Sequence, residues 1–62
     1  MIIEVYLKGG QTIVLDHVEH AEFNHSPVTG FTSYELKFDE KWKRKPTYIM
    51  LSEIAAVCRV EE

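Results

Sequence analysis

The sequence predicts a small, mainly antiparallel all-β domain of about five strands, curled into an open barrel with at most one short helical turn. Three observations predict it. Apolar and polar side chains alternate in Ile3–Leu7 and again in Tyr34–Phe38, the period of half-buried strands. Gly9-Gly10 lies between two such runs and accepts the positive φ angles of a two-residue hairpin turn. The connections between runs are short, as in a meander, and curling so small a sheet limits its exposed edges.

The elements follow in order. Ile3, Val5 and Leu7 share the inner face of the first strand, and Gln11–Leu15 returns with Ile13 and Leu15 inward. From Asp16 to Asn24 the parity breaks, because Val18 falls on the face opposite to Ala21 and Phe23. A bend or bulge near His17-Val18, followed by a strand from about Glu19, restores a common interior. A short helix over the same residues is the alternative, since Leu15 and Val18 also fit a helical turn. Pro27 and Gly30 mark a loop. Phe31–Phe38 is the next strand, with Tyr34, Leu36 and Phe38 inward. A charged connection, Asp39–Pro46, leads to an expected strand at Thr47–Leu51. A tight or 3₁₀ turn at Ser52–Ile54, which Ser52 can cap, precedes a last strand through Val60. Glu61-Glu62 is expected to be solvated.

All 62 residues make one domain. A chain of this length buries only about 60% of its unfolded surface, so small domains lean on disulfides, metals or partner chains. Cys58 is the single cysteine and excludes an internal disulfide; amid apolar neighbours it reads as a buried, inert thiol. Self-association is left as the expected support, so the chain reads as a homo-oligomer. The formal net charge of −3 gives no whole-molecule attraction for nucleic acid. Met1 runs directly into Ile2-Ile3-Glu4-Val5 without a basic leader or long apolar stretch, so neither a signal peptide nor a membrane span is expected. With the unpaired thiol, this reads as a cytoplasmic protein with no membrane partner.

The most distinctive chemistry lies in Lys41-Trp42-Lys43-Arg44-Lys45, where an indole sits among four cations. Clustered positive charge suits phosphate, and a base stacks on an indole or a guanidinium plane. The competing reading is a solvated hairpin loop whose charges guard a sheet edge while Trp42 folds back over the end of the barrel. His17, His20 and His25 match no metal-ligand spacing, because His17 and His20 face opposite sides of a strand. No metal and no cofactor are expected. Ser26, Ser33, Ser52 and Cys58 lack the context of an activated nucleophile, and Gly9-Gly10 lacks the Lys-Ser/Thr of a phosphate-cradling loop. No catalytic residues are assigned, and no enzymatic activity is expected.

A second surface is apolar. Ile2, Tyr6, Val14, Tyr48 and Met50 all fall on nominally outer faces. If their strands are neighbours they form a contiguous patch, and such patches mark interfaces.

In rhythm, Val5–Ile13 and Tyr48–Ile54 resemble the Sm-like RNA-binding barrels, where a strand, a polar glycine turn and a second strand precede a later hydrophobic strand pair. The resemblance implies an SH3-like or Sm-like open barrel. The Asp-centred second strand and the RNA-contacting signature of that family are not evident here, so no functional residue is carried across. Small RNA-binding carbon-storage regulators share the length and the Met-Ile opening, but their glycine and arginine pattern is missing. The expectation is therefore a non-enzymatic accessory or regulatory protein, an adaptor or inhibitor acting through a protein interface, of the kind that phages and mobile elements encode. The alternative is nucleotide or single-stranded nucleic-acid binding by an oligomer through Lys41–Lys45.

Overall fold

The computed structural model describes residues 1–61, so Glu62 lies outside the described residues; Glu61 is exposed, as expected. Strands β1 (Ile2–Leu7), β2 (Thr12–Leu15), β3 (Val18–Ser26), β4 (Gly30–Phe38) and β5 (Ile54–Val60) make up the fold, with one 3₁₀ turn at Leu51–Glu53. All pairings are antiparallel. One sheet has three strands in the order β2-β1-β5, and a second holds the β3-β4 hairpin. The all-β antiparallel class is thus observed. A two-way backbone exchange between Met1 and Val18 connects the sheets at one corner, at 2.7 and 3.1 Å. The ladders themselves define two sheets rather than one closed ring. No helix among the described residues is long and apolar enough to cross a membrane.

The β1–β2 hairpin has the expected strands but a longer turn. Leu7 donates its N–H to Gln11 O at 2.8 Å, and Gly10 donates to Leu7 O at 3.0 Å. The loop is therefore Lys8-Gly9-Gly10, with only Gly10 at positive φ (92°). This is the three-residue hairpin that closes on a left-handed residue, not the two-residue turn.

The parity break after β2 resolves as a bend plus a bulge. His17 takes a left-handed φ of 58°. Val18 then pairs with Phe38 while His20 pairs with Lys37, so Glu19 is the extra residue. One extra residue exchanges the faces, which lets Val18 be buried while Ala21 and Phe23 also point inward. The residues are extended, and the helical alternative is not seen. A second shift, between Asn24 and His25, leaves Thr32 unpaired and brings Phe31 to the inner face with Tyr34. There Phe23 stacks on Tyr34 and meets Phe31 edge-on.

Ile3, Val5, Leu15, Val18, Ile49 and Ile54 form the buried core, and Leu7, Ile13, Leu36 and Phe38 pack against it half-buried. The expected strand Thr47–Leu51 is not formed; residues 39–50 are an irregular connection. Ile49 is still buried, but its N–H goes to the Tyr34 hydroxyl at 3.1 Å instead of a neighbouring backbone carbonyl. The alternation of Tyr48, Ile49 and Met50 thus correctly marks which side chain is inside while no ladder forms. Nor does Ser52 cap the 3₁₀ turn: it lies within it, and the capping position is Met50 without a side-chain bond.

Candidate functional site

Side-chain parity assigns two faces to the three-stranded sheet. Ile3, Val5 and Leu7, with their partners Leu15, Ile13 and Val57, face the core. Ile2, Glu4 and Tyr6 of β1 face away from it. Beside them stand Thr12 and Val14 of β2 and Ala56, Cys58 and Val60 of β5. Among the described residues no strand pairs over this face. Val14 is 59% exposed and Tyr6 36%. Ile2 and Val60, opposite each other, are half-buried.

Glu4 is the one acid at the centre of this face. It accepts the Tyr6 hydroxyl at 2.8 Å. That hydrogen bond, reinforced by the carboxylate charge, raises the Tyr6 phenol pKa above its ordinary value. Val14 and Cys58 flank Glu4 from the two neighbouring strands.

The exposure of Cys58 corrects the expectation of a buried thiol. The reason is a bulge. Leu7 pairs with Ile54 and Tyr6 with Ala56, so Ala55 is the extra residue in β5. Without it Cys58 would share the face of Ile54; with it, Cys58 turns outward.

The apolar residues read from the sequence divide into two places. Ile2, Tyr6 and Val14 lie together on the outer face. Tyr48 and Met50 are exposed, at 66% and 55%, but sit in the irregular connection that Ile49 fixes against β4. Ala56, Cys58 and Val60 join the surface instead. The sequence reading did not find them, because their outward placement depends on the Ala55 bulge.

The basic segment is placed in the 39–50 connection and not on a hairpin, because no strand forms at 47–51 to pair back on β4. Lys41, Lys43, Arg44 and Lys45 are exposed, and none forms an ion pair among the described residues. Asp39 shapes the turn: its carboxylate accepts the Lys41 N–H and its carbonyl the Trp42 N–H, both at 2.9 Å. Trp42 is half-buried and stacks on His17, with ring centroids 3.7 Å apart at 14°. One face of the indole is therefore occupied.

The three histidines go to separate neighbours. His17 meets Trp42 and Asp16, His20 approaches Glu22 at 3.9 Å, and His25 leans on Phe31. Among the described residues no three His, Cys, Asp or Glu side chains converge as metal ligands, and no cavity is found. No protein-family model, curated protein or solved structure matches this chain.

Proposed function

We propose that the protein is a cytoplasmic, non-enzymatic accessory or regulatory binding protein that engages another protein through the outer face of the β2-β1-β5 sheet. The observation that carries this reading is the placement of Ile2, Tyr6, Val14, Ala56, Cys58 and Val60 on one outer face, with Tyr6, Val14, Ala56 and Cys58 exposed. Contiguous apolar surface is retained at interfaces because its burial against a partner is favourable by about 25 cal/mol per Å². The Tyr6–Glu4 pair gives this face a polar centre. An aromatic ring with a hydroxyl handle suits such a surface. The adaptor or inhibitor role rests on the small size of the domain and on the apolar character of this face.

The test compares proteins captured by the wild type with those captured by a Tyr6→Lys/Val14→Lys variant. Both side chains are exposed, so the variant keeps its β circular dichroism. Selective loss of a captured protein supports the reading. An unchanged set of captured proteins removes it.

A second reading rests on the four exposed, unpaired cations at Lys41, Lys43, Arg44 and Lys45. In it, this segment binds the phosphates of a nucleotide or single strand, with the free face of Trp42 as the stacking surface. The stack on His17 and the net negative charge weigh against it. Salt-sensitive quenching of Trp42 fluorescence by oligonucleotides supports this reading, and a flat titration eliminates it.

A further inference from the structure

We infer that β5 is a self-pairing edge, through which two copies of the chain join in an antiparallel, two-fold dimer centred on Cys58. The inference concerns the edge of the sheet, not its outer face, and stands independently of the protein-partner reading.

The backbone groups of β1 point alternately to its two neighbouring strands. Leu7 bonds to Gln11 across the first hairpin. In an antiparallel strand successive residues direct their N–H and C=O to opposite neighbours. Ile3, Val5 and Leu7 therefore serve β2, and Ile2, Glu4 and Tyr6 serve β5. Lys8 continues the series by donating to Glu53 O at 2.8 Å. Across from Ile2, Glu4 and Tyr6 lie Val60, Cys58 and Ala56, whose backbone groups are thereby used. Those of Val57 and Arg59 point the other way, out of the sheet, because β5 is its last strand.

These free groups are symmetric about Cys58. Two β5 strands placed antiparallel with Cys58 opposite its own copy match Val57 with Arg59 of the second copy. Each match exchanges two hydrogen bonds, so no outward donor or acceptor of the regular segment Ala56–Val60 is left over. The same register sets Ala56 opposite Val60 of the second copy on the outer face. A register centred on Val57 would instead run Arg59 into the Ala55 bulge. The Cys58-centred register avoids it. Within Ala56–Val60 there is no proline or glycine to interrupt pairing, and Arg59 is the single charge, itself 4.0 Å from Glu61.

Surface area points the same way. The chain exposes 4722 Å², against roughly 4,100 Å² expected for a folded monomer of its mass. The sheet's other edge, β2, has only four residues and runs on through the bend into β3.

In this dimer Cys58 and its copy form a non-hydrogen-bonded pair, with Cα atoms about 4.5 Å apart. The native chain therefore carries its own probe. Sedimentation velocity from low to high micromolar concentration should show a monomer–dimer equilibrium, and a short bismaleimide should link two chains through Cys58. Arg59→Pro removes an outward N–H without touching the β1–β5 ladder, and should be monomeric with unchanged β circular dichroism. Cys58→Lys places an ammonium opposite Glu4 within each copy but two ammonium groups opposite each other across the axis, and should also be monomeric. It decides the matter if Arg59→Pro fails to fold. A wild type that stays monomeric at high micromolar concentration overturns the inference. So does a dimer that the folded variants leave intact, which would locate self-association on another surface.

Discussion

The imidazole of His17 lies flat against the indole of Trp42, and the same residue supplies the carbonyl that accepts the Asp39 N–H at 2.9 Å. One residue of the bend between β2 and β3 thus holds the start of the 39–50 connection by both its backbone and its side chain. His17 can do this because its left-handed φ of 58° turns the chain sharply there. The tryptophan of the basic segment is part of the fold's own packing, which decides how much of it is free to meet a ligand.

Replacing His17 separates these contributions. His17→Ala keeps a β-carbon in the left-handed region and loses the ring contact, so it should cost about 0.5–1.5 kcal/mol, the worth of a stacked pair. His17→Gly loses the same contact but relieves a backbone conformation that costs an L-residue roughly 1–2 kcal/mol. The glycine variant should therefore be the more stable of the two in urea unfolding, while both shift Trp42 emission to longer wavelength. Equal stabilities would show that the bend stores no backbone strain.

The first turn gives a sharper contrast between adjacent residues. An added β-carbon meets nothing within 4 Å at either Gly9 or Gly10, but only Gly10 has positive φ, at 92°. Gly10→Ala should destabilise by roughly 1–2 kcal/mol on conformational grounds alone. Gly9→Ala should be neutral or stabilise by up to about 1 kcal/mol, through the unfolded chain. Thermal unfolding of the two variants measures both. A two-residue Gly9-Gly10 turn would instead make both substitutions costly.

Much of the fold was legible because the strands obey a period of two wherever they are regular. Ile3, Val5, Leu15 and Ile49 are buried as their parity requires. The misreadings have separate causes, one of which is a bulge that changes parity. The parity break at Val18 was visible because large apolar residues stand on both sides of it. At Ala55 the break lies between Ile54 and Val57, which both face the core, but Cys58 was read as inside from its apolar neighbours and not from parity. Thr47–Leu51 has the composition of a strand, but the partner that meets Ile49 is a tyrosine hydroxyl, and no local pattern announces a side-chain partner. The outer face was half legible. Ile2, Tyr6 and Val14 were found from parity, whereas the contribution of β5 depended on the same bulge.

Tyr6 supplies a titration test of that face. Its raised pKa means that the fold favours the neutral phenol, first through the hydrogen bond to Glu4 and then through the carboxylate charge. The contribution to stability is complete below the unfolded value near 10 and is lost as pH climbs through the higher folded value. Ultraviolet absorbance should show one of the three tyrosines ionising later than an ordinary phenol. Glu4→Ala removes the two largest causes and should move that step back toward the ordinary range. A late phenol that persists in Glu4→Ala would assign the shift to another residue.

The contact between Tyr34 and Ile49 should be worth more than its exposed counterpart at Tyr6. Ile49 is buried at 2% exposure, and its N–H has the Tyr34 hydroxyl as acceptor. Tyr34→Phe leaves the ring in place, so the stack with Phe23 survives. What disappears is the acceptor, and a buried donor without a partner costs about 1–3 kcal/mol. The loss falls where the connection has no ladder to hold it, so the 47–50 segment should loosen before the strands do. Hydrogen exchange should accelerate at the Ile49 amide, while Glu4 and Val5 on the central strand keep the protection set by global unfolding. Equal acceleration at all three would mean that Tyr34 supports the whole core through packing, and that the hydroxyl has no separate part in anchoring the chain between β4 and the 3₁₀ turn.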